Sequence, residues 1–247
     1  MKQLDTPQPM LLVTIGTPGT GKSTFAGQLA KQHNVAWIHT NRLRATLFPQ
    51  PTFSRDEETA IDDFAEHILT EMLRTKGNII YDGNANTRAS RSKLTKLARE
   101  AGYKVLLVWL QTDPETARAR AAKRGTRPQD DRYATALSAD GFEFFANKLA
   151  KPWTSEDYVV ISGKHAFPTQ ARTLMTKIST LFPPKSKPAP KPIQVQPKQV
   201  KEVREITDKD VKRPKPKLPS VEDIHHAQTP KERSKPRFDI TRHIKFR

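Results

Sequence analysis

The stretch "MLLVTIGTPGTGKST", Met10–Thr24, decides the fold. Met10 to Ile15 is apolar or β-branched throughout, the pattern of a strand buried on both faces. A glycine loop follows at once. Gly16, Gly21, Lys22 and Ser23 match G-x-x-x-x-G-K-[ST], with a strand before and a helix after. Glycines let the backbone wrap closely around phosphate oxygens. The loop N–H groups and the helix N-terminus add partial positive charge. Gly16, Thr17, Pro18, Gly19, Thr20, Gly21, Lys22, Ser23 and Thr24 are therefore the candidate nucleotide cradle. Lys22 would neutralise the β- and γ-phosphates of ATP or GTP, and Ser23 would ligate Mg2+.

Strand and helix character alternate outward from this loop. Lys22 to Gln32 reads as a helix and "VAWIHT" as a second strand. Ser54 and Glu57 have capping-box spacing, with Glu57 expected to reach back to the Ser54 N–H. They open a helix whose apolar face is Ile61, Phe64, Ile68 and Leu69 and which ends near Gly77. "NIIYD" is a third strand, and "TRASRSKLTKLAREAG" a helix closed by Gly102. "KVLLVWLQT" is a fourth strand. "PETARARAAKRG" is a helix with Pro114 in its first turn. "DYVVISG" is a fifth strand, followed by a helix from about Pro168. Strands separated by helices imply right-handed βαβ units. The expected class is α/β, a P-loop NTPase three-layer sandwich around a central five-stranded parallel sheet.

Composition changes after residue 182. From Pro183 to Arg247 there are 18 Lys or Arg against 8 Asp or Glu, and 11 of the 20 prolines. Proline removes donors and fixes φ, so this stretch reads as a largely disordered basic tail. The expected division is an ATP-binding domain over 1–182 and a tail over 183–247. The whole chain carries a formal net charge of +17 and a mean hydropathy of −0.70, which favours phosphate-bearing partners. The tail reads as a solvated arm, an electrostatic tether for nucleic acid, or a docking peptide with "FDITRHIKFR" as its anchor. With no cysteine, disulfides and thiol nucleophiles are excluded. "MLLVTIG" is too short to span a bilayer. No signal-peptide core precedes it, so no membrane is expected, and a nucleotide-binding core favours the cytoplasm.

Chemistry should gather where the strands end. Asp82 closes "IIYD" and could hold Mg2+ through water or orient a hydroxyl. Its bland alternative is a turn aspartate. Arg88 and Arg91 share a helical face and could meet a substrate phosphate, or simply be solvated. Arg120 and Arg124 are four apart, with Arg118 beside them and Arg127 beyond. A basic helix of this kind can close over a nucleotide and spread the charge of the transferring phosphoryl group.

Taken together, "GTPGTGKST", "HTNRLRATLF", "IIYDGNANTRASR", "LAREAGYKVLLVWLQTDPE" and "ARARAAKR" resemble the zeta-toxin and polynucleotide-kinase-like P-loop kinases, often labelled AAA-domain ATP-binding proteins. The resemblance implies ATP and Mg2+ as cofactors, with Lys22, Asp82, Arg120 and Arg124 around the phosphates. In the second-strand motif the family reads Asp-x-x-Arg. Arg44 matches the arginine, which in relatives binds phosphate near the acceptor. Asn41 stands where the aspartate is expected. An amide orients a hydroxyl but takes no proton at neutral pH. Asp82, Asp56, Asp62 and Asp63 are the alternative bases. The implied activity is transfer of the γ-phosphate to a polynucleotide 5′-OH or a small molecule. The rival is a catalytically weak nucleotide-dependent adaptor.

Overall fold

The computed structural model describes residues 4–125 and 132–183. The readings of residues 184–247 and of Arg127 lie outside the described residues.

Five strands form one sheet in the order β2-β3-β1-β4-β5, and every neighbouring pair is parallel. They are β1 Met10–Ile15, β2 Ala36–His39, β3 Ile79–Asp82, β4 Lys104–Gln111 and β5 Tyr158–Ser162. Every residue of β1 is buried; five of the six are apolar, and Thr14 donates its hydroxyl to Asp82. Alternate side chains feed two cores. Leu12, Ile80, Leu106, Val108 and Ile161 pack with Phe25 and Leu29 of helix α1, Lys22–His33, and with Leu174 and Ile178 of α7, Phe167–Leu181. On the other face Leu11, Val13, Ile15, Ile79 and Leu107 pack with α3, Arg55–Leu73, and α4, Arg88–Glu100. The result is the three-layer α/β sandwich expected from the alternation.

Three local readings change. "HTNRLRATLF" is not an extension of the second strand: α2, Thr40–Leu47, begins directly after His39. The long helix has Ser54 as N-cap, its side chain accepting from Glu57 N, but Glu57 does not return to Ser54. Its carboxylate accepts instead from Thr52 N at 2.7 Å, Thr52 Oγ1 at 2.8 Å and Phe53 N at 3.2 Å. On that helix Ile61, Ala65, Leu69 and Leu73 face the core, while Phe64 is exposed. The three-four spacing was right, but a small alanine, not the phenylalanine, meets the sheet.

Helix α5, Pro114–Ala122, takes Asp113 as its N-cap, with Pro114 in the first turn as expected. Helix α6, Ala139–Asn147, is an element that the sequence reading did not assign. Phe142 of α6 packs on Ala117 and Ala121 of α5, forming a small third core. Among the described residues no helix is long and apolar enough to cross a membrane.

Candidate active site

The carboxyl ends of the five parallel strands lie along one edge of the sheet, and the loops that follow them line one cleft of about 1330 Å³. That volume exceeds the usual span for one small ligand. The phosphate loop forms one wall. Gly19 has φ +80, and a Cβ there would sit 2.0 Å from the Ala117 carbonyl oxygen, so only glycine lets the loop rest on α5. Gly21 is the N-cap of α1 in the left-handed region. The first turn of α1 has no side-chain cap and no acid. Its N–H groups therefore keep their capacity for an anion.

Two side chains fix this loop. Asn86 accepts from Gly16 N at 3.1 Å and donates to Gly16 O at 3.0 Å, continuing the ladder past the end of β1. Lys22 Nζ donates to Gly16 O at 2.9 Å and Thr17 O at 3.0 Å, curling over the cradle. Burial pulls the Lys22 pKa down from 10.5 to about 8; the Asp82 charge opposes this and Arg124 adds to it. A buried ammonium held by two carbonyls and, among the described residues, by no carboxylate fits a loop made for an anion.

Asp82, at the end of β3, is buried. Its Oδ1 accepts from the Thr14 hydroxyl at 2.6 Å. Its Oδ2 is buried and accepts no hydrogen bond among the described residues, with His39 Nε2 at 3.8 Å. His39 is stacked on Trp37 at 4.7 Å between centroids. Among the described residues no group of three His, Asp or Glu is placed to hold a metal ion by itself. Mg2+ in this cleft would be held by nucleotide phosphates and Ser23, with the orphaned Asp82 oxygen as a water-mediated partner. The cradle and the orphaned oxygen thus fit both ATP and its metal.

Asn41 lies in the first turn of α2 and lines the cleft. Arg44, one turn on, lines it too but is committed elsewhere. It is buried and paired with Glu57, and its Nη2 lies 2.9 Å from Glu58. Its guanidinium also sits 4.7 Å from the centre of the Phe53 ring. Burial would raise the Glu57 pKa, but the Arg44 and Thr52 hydrogen bonds outweigh it and hold the carboxyl at about 2. Arg44 therefore braces the wall of the cleft through two carboxylates.

Of the three aspartates on the long helix, only Asp62 lines the cleft among the described residues. Its Oδ2 accepts from Asn84 Nδ2 at 2.9 Å. Burial pushes its pKa up, against the Asn84 hydrogen bond and the Arg44 charge.

The arginines sort themselves. Arg120 and Arg124 line the cleft, donating to Gly163 O at 2.9 Å and Thr135 O at 3.4 Å. Arg118 turns away to Glu143 of α6. Arg91 contacts no ligand space: its side chain is fully buried. It holds Glu156 at 2.8 and 3.0 Å, with the carbonyls of Asn86 and Ala150 at 3.1 and 3.0 Å. Arg88 stacks on Trp153.

The sequence reading missed several cleft residues. Asn84 and Asn86 sit in a segment read as a turn. His165, Phe167 and Gln170 line the cleft at the start of α7. Phe144, Phe145 and Lys148 project from the unassigned α6. Its signal, Ser138 as an N-cap before the "FEFF" run, was present.

The AAA domain family profile matches residues 11–142, more than half of the chain. The L-seryl-tRNA(Sec) kinase of Methanococcus maripaludis is 25% identical over 120 residues, covering 48% of this chain and 47% of that protein. The shikimate kinase of Moorella thermoacetica is 30% identical over 123 residues, 49% of this chain and 68% of that protein. The chain thus spans about half the length of the first relative and two thirds of the second. The fold is similar to that of the Mycobacterium tuberculosis APS kinase solved with AMPPNP and APS, with TM-score 0.51 and 15% identity over 70% of this chain and 99% of that one. The phosphate loop, the five-stranded parallel sheet and these matches together place the chain in the AAA domain family of P-loop kinases.

Proposed function

We propose that the protein is an ATP- and Mg2+-dependent kinase that transfers the γ-phosphoryl group to a hydroxyl. The observation that carries this is one continuous cleft lined by two unlike sets of residues. One set is the cradle, Lys22, Ser23, Asp82, Arg120 and Arg124, suited to hold a triphosphate. The other is Asn41, Asp62, Arg55 and the rings of Phe53 and Phe144, suited to receive a second molecule. The reaction asks little of the protein beyond positioning and charge. Lys22 holds the β- and γ-phosphates and stays protonated once their charge is beside it. Arg120 and Arg124 supply positive charge from α5 and the turn that follows it. Asn41 orients the acceptor hydroxyl, and Asp82 aligns the metal's water shell. Mg2+, held through Ser23 and the water-mediated Asp82, would supply further charge neutralisation.

The acceptor wall favours a planar, phosphate-bearing acceptor such as a polynucleotide 5′ end or a nucleotide sugar. Phe53 and Phe144 are 40% and 58% exposed, with Lys148 over the Phe144 ring at 3.9 Å. Exposed rings beside cations stack on bases. Of the two curated relatives, one is named for a tRNA-linked acceptor and the other for a small one.

A second reading, a nucleotide-dependent adaptor of the cytoplasm with its partner on the basic tail, is favoured by Asn41 alone. Titration of labelled ATP and Mg2+ against 5′-hydroxyl RNA, 5′-hydroxyl DNA and nucleotide sugars separates the two. A kinase phosphorylates one acceptor class. An adaptor binds ATP and phosphorylates none.

A further inference from the structure

Resting on the kinase reading, one question is which group takes the hydroxyl proton. Asn41 cannot. Among the described residues three carboxylates line the cleft: Glu58, Asp62 and Asp82. Glu58 is bound to Arg44 at 2.9 Å. Asp82 receives the Thr14 hydroxyl at 2.6 Å, and its charge acts on Lys22 at the phosphate end. Asp62 differs on both counts. It lies in the third turn of α3, half-buried, with no ion pair among the described residues. One oxygen is fixed by Asn84 at 2.9 Å, and the other accepts no hydrogen bond among the described residues. Asn84 follows Asp82 by two residues and precedes Asn86, the clamp on Gly16. The Asp62 carboxylate is thus tied to the same short loop that fixes the phosphate cradle.

We propose that Asp62 is the carboxylate that receives the acceptor hydroxyl's proton, the task Asn41 cannot perform. The hydroxyl oxygen forms its bond to the γ-phosphorus as the bond from that phosphorus to the bridging oxygen breaks. The electron pair leaves with ADP. The proton passes to Asp62 and then to solvent. The charged neighbours are Arg44 from α2, Asp63 on its own helix and Lys93 from α4, with Glu66 engaged by Lys93. Burial and Asp63 make Asp62 a stronger base, while Asn84, Arg44 and Lys93 act the other way. A base whose pKa moves toward the working pH is the better catalyst.

The test measures kcat and the ATP KM from pH 5 to 9 for wild type, Asp62→Asn, Asn84→Ala and the exposed control Asp56→Asn. Asp62→Asn should lower kcat by about 10²–10⁴-fold, keep the ATP KM within about twofold, and remove the acid limb of the kcat profile. Asn84→Ala should move that limb to higher pH, because the lost donation favours the protonated carboxyl. Asp56→Asn should match wild type. Carbon-13 titration of the free protein should place the Asp62 carboxyl above the ordinary aspartate value. Asp62→Asn within about threefold of an active wild type, acid limb intact, overturns the assignment alone. A wild type that phosphorylates no acceptor overturns the kinase reading and the assignment with it.

Discussion

Lys22→Met should make the ligand-free protein more stable while abolishing nucleotide binding. In the unfolded chain Lys22 has its ordinary pKa of 10.5; in the folded chain burial lowers it to about 8. Below pH 8 both states carry the proton, and folding bears the full cost of a buried ammonium, about 3 kcal/mol by linkage. Between pH 8 and 10.5 the folded state sheds the proton while the unfolded state keeps it, so the cost falls as pH rises. Methionine removes the cost but also two hydrogen bonds. Gly16 O retains its Asn86 donor and Thr17 O retains the Thr20 hydroxyl at 2.9 Å, so neither acceptor is stranded. At about 1 kcal/mol for each lost bond, the net gain at pH 7 is about 1–3 kcal/mol. The gap should narrow by about 2 kcal/mol on going to pH 9.5. Urea unfolding of both proteins at the two pH values measures it. A variant less stable than wild type at pH 7, or a gap that ignores pH, would refute the account of Lys22 as a strained, anion-seeking cation.

Three further outcomes are expected. Gly19→Ala places a Cβ 2.0 Å from Ala117 O at φ +80, and left-handed backbone alone costs about 1–2 kcal/mol for alanine; calorimetry should show ATP affinity falling at least about tenfold. Arg91→Met leaves Glu156 with the Trp153 N–H in place of its ion pair and removes the donor to the Ala150 carbonyl, so thermal unfolding should report a loss of about 3–5 kcal/mol, and a variant near wild type would mean that the Arg91 pair adds nothing to stability. Asn41→Asp should leave the transfer rate unchanged or raise it, and a collapse in single-turnover rate would show that Asn41 does more than orient.

Much of this was legible because period and punctuation agree. The apolar and β-branched run of β1, the glycine loop and Pro114 at its helix start each constrain the backbone locally. What the sequence hid was partner choice. Arg44 and Arg91 look alike as exposed motif arginines, yet each ends buried against glutamates brought from elsewhere, Glu57 by α3 and Glu156 by the loop before β5. Nothing local marks such pairs, because they form across the fold. The same holds for Glu57, diverted from its capping box by Arg44 and Thr52. Asp62 was one of four aspartates until α3 turned it into the cleft and Asn84 reached it.

The most direct measurement is the fate of the γ-phosphate in a single turnover. Protein in excess over γ-labelled ATP with Mg2+ is mixed with 5′-hydroxyl oligonucleotides or nucleotide sugars, and phosphate ester is separated from inorganic phosphate. The account predicts label in the ester of one acceptor class, and none with Lys22→Met. Bound ATP whose label stays on the nucleotide or goes only to water, whatever the acceptor, would contradict it.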